Sequence, residues 1–240
     1  MKKPLCFDVF CGLGGWSHGF LAEGWDCVGV DIEQHVYGNE HYPAQLVLQD
    51  ARTIHGKQFR DADCLVMSPP CTEFSYMAMP WSRAKQVARA LRGEGEFPES
   101  YTGSLTLADL TALFDACFRI QREACEAAGR QIPMVVENVC GAQKWVGKAR
   151  AHVGSYYFWG DVPALMPGGC RNKLNGQDTH RWEKTGGKHN CGNWSTLAMR
   201  KADQSSAGFN RRLASALIAK IPLEISTWIA RCFKPTSLSA

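Results

Sequence analysis

The topology of this chain follows from LCFDVFCGLGGWSHGFLAEGWDCVGVDIE, residues 5–33. Its two apolar segments, residues 5–10 and 27–32, are short and nearly unbroken, which is typical of strands buried on both faces of a sheet. Between them, WSHGFLAEGW predicts a short helix with Ser17 as its N-cap and Gly24 at its end. Because a helix joins the two strands, they should pair in parallel through a right-handed crossover.

Later segments extend the same sheet. Residues 46–48 and 64–67 are two more short apolar runs, and Pro133 opens a further one, PMVVENV. Residues 105–128 carry apolar side chains at intervals of three or four up to Gly129, which predicts a long amphipathic helix over the sheet. The predicted fold class is therefore α/β, with a doubly wound, mostly parallel, Rossmann-like sheet that binds ligands at the carboxyl ends of its strands.

The length of 240 residues suits one α/β domain with a small addition. We expect a core over residues 1–140, a reduced and irregular region over 141–210, and a C-terminal helix within 211–240 that returns to the core. The first part of the middle region, residues 141–169, predicts one or two strands with loops. The tail IPLEISTWIARCF, from Ile221, predicts the final helix, with a proline in its first turn.

Composition argues against several classes of protein. The formal net charge is only +4, which gives no sign of a polyelectrolyte tail. The start MKKPLCFDVFCG reaches Asp8 before any long apolar run, which argues against a secretory signal or membrane span. Eleven cysteines, most of them inside apolar runs, favour free thiols in a reducing compartment. We therefore expect a soluble, cytoplasmic monomer without an obligate protein partner.

The ends of the first three predicted strands offer binding groups for one ligand. The first ends in a glycine turn, FCGLGG, which lets a ligand approach the backbone but is not the dinucleotide pattern G-x-G-x-x-G. The second ends at Asp31 and Ile32, an acceptor for ribose hydroxyls and an apolar face for adenine. The third ends at Asp50, an acceptor for the adenine amino group. Together they fit an adenosyl ligand, whereas the alternative is that both aspartates only cap the turns that follow them.

The fourth and fifth strand ends add reactive groups. In SPPCTEFS, Pro69 and Pro70 force the chain out of the sheet and hold Cys71 on a stiff corner. The fifth strand ends at Glu137 and Asn138, which should face the same crevice. A thiolate and a carboxyl group are the two parts needed to methylate an unactivated pyrimidine carbon. Cys71 would add to carbon 6 of cytosine and Glu137 would protonate or hydrogen-bond ring nitrogen 3, so that carbon 5 attacks a methyl sulfonium. Loss of the carbon 5 proton to a base such as water then expels the cysteine.

The motifs FCGLGG, VDIE, QDA, SPPCTEFS and ENV, in this order, resemble those of the DNA cytosine-5 methyltransferase family over about residues 5–140. The resemblance implies an enzyme that methylates DNA from S-adenosylmethionine, with Cys71 as the nucleophile and Glu137 as the carboxyl group that reads cytosine. The residues that it assigns to the cofactor site are Phe10, Gly12, Leu13, Gly14, Gly15, Asp31, Ile32, Asp50, Ala51 and Pro70. The last predicted helix is also similar to the family's final helix, which packs beside the cofactor pocket.

Several features depart from the family pattern. Thr72 and Glu73 stand where the family usually has glutamine, and Pro69 stands at a position that is often aromatic. The arginine-x-arginine motif is absent, and Arg150, before GSYYFWGD, is the candidate substitute. The asparagine motif before the last helix is replaced by AKIP. Only about residues 142–210 remain for target recognition, which indicates a compact orphan or phage-type enzyme that reads a short site or reads loosely.

Double-stranded DNA is the expected partner, and its target base must be flipped out of the stack to reach Cys71. Residues 83–92 carry cations beside Trp81 and favour a mobile loop that closes over the duplex, with a solvated helical face as the alternative. The predicted DNA-binding residues are Ser75, Arg83, Lys85, Arg89, Asn138, Arg150 and Arg181. A second basic and aromatic patch, for reading the groove, comprises Arg171, Lys173, His180, Arg181, Trp182, Lys184, Lys188, His189 and Trp194.

Other functions stay open on the sequence alone. One branch of the family methylates cytosine in transfer RNA, and an altered methyl donor is a further alternative. A non-catalytic nucleic-acid-binding relative is disfavoured, because a pure binder has no use for Cys71 paired with Glu137. An enzyme that methylates an amino group would have an aromatic residue where Cys71 stands. We predict no metal, because no standard zinc spacing is matched by Cys170, His180, His189 and Cys191.

Overall fold

The computed structural model describes residues 2–71, 74, 81–96, 107–167, 212–213, 216–217 and 219–235. Its strands are β1 Leu5–Val9, β2 Asp26–Asp31, β3 Val36–Tyr37, β4 Glu40–His41, β5 Gln45–Leu48, β6 Cys64–Met67, β7 Met134–Asn138, β8 Ala151–Val153 and β9 Tyr156–Gly160. Its helices are α1 Gly15–Ala22, α2 Trp81–Leu91, α3 Leu107–Ala128, α4 Gln143–Val146 and α5 Leu223–Phe233, with 3-10 turns at Gly56–Phe59 and Cys140–Ala142.

The larger sheet has the strand order β5-β2-β1-β6-β7-β9-β8. Neighbours from β5 to β7 pair in parallel, whereas β9 runs antiparallel to both β7 and β8. The chain order reverses between β1 and β6, so the carboxyl ends of these strands flank a topological switch point, where open α/β sheets bind their ligands. The predicted α/β class with a mostly parallel, doubly wound sheet is confirmed.

Apolar layers cover both faces of the sheet. α3 packs on one face, where Phe114 and Ile120 are buried together with Leu65 of β6. α1 and α5 pack on the other face, where Trp16 and Ile225 are buried. Every residue of β6 and β7 is buried, as their unbroken apolar sequences predict.

β5 differs from the interior strands. It lies at the edge of the sheet and pairs with β2, and its Val47 and Leu48 are 36% and 57% exposed. The prediction of a strand buried on both faces was wrong for this segment, because an edge strand is covered less than an interior one.

α1 begins after Gly14, whose φ of +72° lies in the left-handed region. Ser17 is not the N-cap that the sequence predicted, because it lies inside the first turn and is fully buried. Its backbone N–H and its hydroxyl donate to Oδ2 of Asp8 at 3.3 and 2.7 Å. The buried carboxyl group of Asp8, on β1, thus accepts from a backbone N–H in the first turn of α1 that has no partner within the helix. Gly24, with a φ of +80°, follows the helix end as predicted.

The remaining predicted elements are present. α3 ends directly before Gly129, whose φ is +64°, and β8 and β9 pair as a hairpin. α5 packs against α1. A β-carbon at Gly19 of α1 would collide with Ser226 and with the backbone of Thr227, so glycine permits the close approach of these helices. Among the described residues, no helix is both long and apolar enough to cross a membrane.

Candidate active site

The glycine turn after β1 has a strained backbone. Phe10 has a φ of +60°, and within the described ranges it is the one non-glycine residue in the left-handed region. This conformation costs on the order of 1–2 kcal/mol, and the N–H of Phe10 donates to the carbonyl of Val30 at 2.8 Å. Gly12 and Gly14 continue the turn with φ values of +48° and +72°. Strain of this kind is typical of ligand-binding and catalytic corners.

Asp31, at the end of β2, holds this turn. Its Oδ2 accepts from the N–H of Gly12 at 2.9 Å, and its Oδ1 accepts from the N–H of Ile32 at 2.8 Å. Each carboxylate oxygen can accept more than one hydrogen bond, so Asp31 keeps capacity for a ribose hydroxyl while it caps its own turn. Ile32 is 66% exposed and offers the apolar face that adenine binding requires.

Asp50, after β5, is engaged by a neighbouring side chain. Its carboxylate oxygens bind the guanidinium of Arg52 at 2.6–3.1 Å, and Oδ1 also accepts from the N–H of Arg52 at 2.9 Å. These bonds lower the pKa of Asp50. Asp50 therefore caps the turn that follows it, as in the alternative interpretation of the sequence. An adenine amino group would have to share the carboxylate oxygens of Asp50 with Arg52. Ala51, in the same turn, is buried.

The glycine turn is enclosed by residues to which the sequence did not point. A β-carbon at Gly14 would collide with Pro43, and one at Gly15 would collide with the backbone that follows Lys220. At Gly12, by contrast, a β-carbon would have no described atom within 4 Å. The segment before α5 thus closes against the turn. Pro43 and Lys220 were missed because a contact between residues far apart in sequence leaves no local pattern.

The corner that carries Cys71 is clamped by both neighbouring strands. The N–H of Ser68 donates to the carbonyl of Val9 on β1 at 3.2 Å. The side-chain amide of Asn138, on β7, donates to the carbonyl of Pro69 at 2.8 Å. Asn138 is 1% exposed, so in this structure it positions the corner and does not present its side chain to DNA.

Glu137 ends β7 beside the Cys71 corner and is 9% exposed. Burial raises the pKa of its carboxyl group to about 8, although a hydrogen bond with Ser68 acts in the opposite direction. Burial also raises the pKa of the Cys71 thiol, and the charge of Glu137 raises it further. Near pH 7 both groups are therefore protonated. A neutral carboxyl group of this kind can donate a hydrogen bond to a ring nitrogen.

Residues 5–83, which contain the glycine turn, Asp31, Asp50 and Cys71, match the model of the C-5 cytosine-specific DNA methylases. The match covers about a third of the chain and agrees, over those residues, with the family that the motifs indicated. No curated protein matches the chain.

Two solved structures are similar to part of this chain. One is a candidate DNA modification methyltransferase encoded within an E. coli prophage, with 19% identity, a TM-score of 0.38, and 60% of this chain and 35% of that chain covered. The other is a protein of Pyrococcus horikoshii OT3, with 15% identity, a TM-score of 0.31, and 57% of this chain and 50% of that chain covered. The chain thus spans about a third and about half of these two proteins.

Two residues beside the candidate site were missed by sequence reasoning. Nε1 of Trp16 donates to Oγ of Ser68 at 2.9 Å, and Ser68 follows β6 next to the end of β7 that carries Glu137. Trp16 reads as a core aromatic residue and Ser68 as a strand end. The packing of α1 on the sheet and the adjacent positions of β6 and β7 bring them near Glu137.

The structure describes some of the residues that were predicted to contact DNA. Arg83, Lys85 and Arg89 lie on α2, so residues 81–91 form a helical face and not the loop that the sequence favoured. Lys85 and Arg89 are exposed, as is Arg150 directly before β8. The residues that lie outside the described ranges are Thr72, Glu73, Ser75, Arg181, the rest of the second basic and aromatic patch, and the four zinc candidates.

Proposed function

We propose that the protein transfers a methyl group from S-adenosylmethionine to carbon 5 of cytosine in double-stranded DNA, through a covalent adduct between Cys71 and a flipped-out base. The observation that carries the proposal is the pair of reactive groups at the carboxyl ends of β6 and β7. Cys71 is a partly exposed thiol on a clamped corner, and Glu137 is a buried carboxyl group that stays neutral near pH 7. Burying a carboxyl group costs free energy, which favours a catalytic reason for its presence in a crevice.

The residues around the glycine turn fit S-adenosylmethionine. The open side of Gly12 gives room, Asp31 offers acceptor oxygens for a ribose, and Ile32 offers an exposed apolar face for adenine. The other residues that would hold the cofactor are Phe10, Leu13, Gly14, Gly15, Asp50, Ala51 and Pro70. When bound, this cofactor supplies an electrophilic methyl group on a sulfonium sulfur.

Cys71 and Glu137 act on different atoms of the cytosine ring. The thiolate sulfur of Cys71 forms a bond to carbon 6, and Glu137 gives its proton to ring nitrogen 3 as electron density moves to carbon 5. Carbon 5 is then nucleophilic and takes the methyl group. A base removes the proton from carbon 5, the double bond between carbons 5 and 6 re-forms, and the carbon–sulfur bond breaks. Cys71 leaves as the thiolate, and nitrogen 3 returns its proton to Glu137.

Transfer of labelled methyl groups to mixed-sequence duplex DNA tests the reaction. We expect 5-methylcytosine in the digest with the wild-type protein and none with Cys71→Ala, because alanine cannot add to carbon 6. Cys232→Ala, which removes an exposed thiol of α5, is the matched control and should leave transfer unchanged. Undiminished transfer by Cys71→Ala would contradict the covalent mechanism. Transfer to RNA but not to DNA would contradict the proposed substrate.

Duplex DNA that carries 5-fluorocytosine tests the adduct itself. Fluorine at carbon 5 does not leave as a cation, so the step that frees Cys71 cannot occur. We expect a protein–DNA adduct that survives denaturation with the wild-type protein and no such adduct with Cys71→Ala. An adduct that forms equally well with both proteins would show that another residue is the nucleophile.

A further inference from the structure

We propose that Arg119, on α3, is a positioning residue that orients the carboxylate of Asp50 toward the amino group of adenine. This inference rests on the proposed function, because it takes Asp50 as the residue of the cofactor site that accepts from that amino group. Arg119 does not itself bind the cofactor in this proposal. It acts through the turn that begins at Asp50.

The turn after β5 is closed by hydrogen bonds to Asp50. The N–H and the hydroxyl of Thr53 donate to the carbonyl of Asp50 at 3.0 and 2.9 Å. The N–H of Arg52 donates to Oδ1 of the Asp50 side chain at 2.9 Å. The direction of that N–H therefore helps to fix where the carboxylate of Asp50 lies.

Arg119 bonds the same peptide group from its other side. Nη2 of Arg119 donates to the carbonyl of Ala51 at 3.1 Å. The carbonyl of Ala51 and the N–H of Arg52 belong to one planar, trans peptide group, in which they point in opposite directions. A bond that holds this carbonyl therefore also holds the N–H, and through it the carboxylate of Asp50.

Two more bonds join Arg119 to the turn. Nη2 also donates to the carbonyl of Arg52 at 3.2 Å, and Nη1 donates to the carbonyl of Ile54 at 2.7 Å. Arginine suits this contact because its planar guanidinium carries five N–H donors in a fixed geometry. One side chain of α3 thus bonds the carbonyls of Ala51, Arg52 and Ile54.

Glu123, one helical turn after Arg119, anchors both the guanidinium and the end of the turn. Its carboxylate oxygens accept from Nη1 of Arg119 at 3.1 and 3.3 Å, and Oε2 accepts from the N–H of Gly56 at 2.6 Å. A β-carbon at Gly56 would collide with the carbonyl of Ile120, so the turn packs directly against the backbone of α3. Arg119 is therefore held in place before any ligand binds, and such preorganisation favours affinity.

The side chain of Arg52 contacts Asp50 in a different way. Its Nε and Nη2 bond the carboxylate at 2.6–3.1 Å, but the side chain is 60% exposed. An adenine amino group could displace an exposed side chain, whereas the N–H of Arg52 is held through the peptide group that Arg119 bonds. We therefore expect the orientation of Asp50 to depend on Arg119 more than on the guanidinium of Arg52.

Calorimetric titration with two cofactor analogues tests this orientation without catalysis. The ligands are S-adenosylhomocysteine and an analogue with hydrogen in place of its purine 6-amino group. We expect the wild-type protein to bind the first about tenfold or more tightly than the second, because the amino group bonds a charged acceptor. In Arg119→Gln this ratio should fall by about threefold or more. A general loss of stability would weaken both ligands alike and leave the ratio unchanged.

Three further variants make the ratio specific to Asp50. Arg119→Lys offers one nitrogen for carbonyls that bond two nitrogens of the guanidinium, so it should also lower the ratio. Arg130→Gln is the matched control and should keep the wild-type ratio, because Arg130 bonds the carbonyl of Ala62 at 2.6 Å, beyond the end of α3. Asp50→Ala should bring the ratio close to unity, and Arg119→Gln added to it should lower the ratio no further.

An unchanged ratio in Arg119→Gln would overturn the proposal, and if that variant does not fold, an unchanged ratio in Arg119→Lys has the same meaning. A wild-type protein that shows no preference for the amino group would overturn it as well. A ratio that falls as expected, in a protein whose wild type transfers no methyl group to DNA, would support the positioning role and overturn the proposed function instead.

Discussion

At the residue scale, the burial of Glu137 makes the stability of the protein depend on pH. The folded pKa of about 8 lies above the ordinary value of 4.5, so between these values the folded protein keeps a proton that the unfolded chain releases. Stability therefore falls as the pH rises from about 4.5 to about 8, and this contribution is constant above that range.

Glu137→Gln should remove this penalty. At pH 7 we expect the free energy of unfolding to rise by about 3 kcal/mol relative to the wild-type protein, and below about pH 4.5 we expect the two proteins to be equally stable. Urea unfolding followed by tryptophan fluorescence measures both values. Glu224→Gln, at an exposed glutamate of α5, is the control. An equal gain at both pH values would contradict a raised pKa at Glu137.

The raised pKa values of Cys71 and Glu137 also predict the pH dependence of catalysis. In the proposed mechanism the active form has a Cys71 thiolate and a neutral Glu137 carboxyl group, although the carboxyl group has the lower pKa of the two. We expect kcat/KM to rise up to about pH 8, to stay level until the thiol ionises, and then to fall, with apparent values that belong to the pair. Initial rates of methyl transfer measure this profile. A level region that begins near the ordinary pKa of glutamate would contradict a neutral Glu137.

At the element scale, a single glycine sets the distance between α1 and α5. Gly19→Ala places a β-carbon against Ser226 and the backbone of Thr227, so we expect the free energy of unfolding to fall by about 1–3 kcal/mol. Gly95→Ala is the matched control, because a β-carbon there would have no described atom within 4 Å. Thermal unfolding of the two variants measures the difference. Equal Tm values would mean that the two helices are not in tight contact.

The sequence predicted some elements better than others for identifiable reasons. β6 lies where it was predicted, at Cys64–Met67, because an unbroken apolar run ends at two prolines. The exposure of β5 was not predictable, because an edge position depends on which strands pair and not on local composition. Ser17 has the chemistry of an N-cap, but Asp8 on the strand below already satisfies the start of α1.

At the scale of the whole molecule, parallel topology made the site predictable. The rule that carboxyl ends of parallel strands share one edge was enough to bring Cys71 and Glu137 together from β6 and β7. The partner of Asp50 and the inward position of Asn138 were not predictable. They depend on side-chain contacts between separate elements or on the geometry of one turn, and neither hydrophobic periodicity nor motif spacing carries that information.

The electrostatic contribution to DNA affinity should appear as a dependence of that affinity on salt concentration. Arg89→Gln and Arg150→Gln should each reduce the slope of log K against log salt concentration by about one, if each contacts one phosphate. Lys3→Gln is the control. Lys3 precedes β1, so it lies at the amino-terminal ends of the parallel strands, away from the candidate site at their carboxyl ends, and its side chain is 63% exposed. Fluorescence anisotropy with a labelled duplex measures the slopes. Unchanged slopes in both arginine variants would contradict the phosphate contacts.

Trp16 follows Gly15 directly, and its Nε1 donates to Oγ of Ser68, which lies next to the end of β7 that carries Glu137. A ligand at the glycine turn and a proton on Glu137 would thus lie at the two ends of one short chain of contacts. Thermodynamic linkage makes any influence between them reciprocal: a cofactor that favours the protonated acid must itself bind more tightly below pH 8 than above it. Cofactor affinity measured against pH, in the wild-type protein and in Glu137→Gln, would give the size of this coupling.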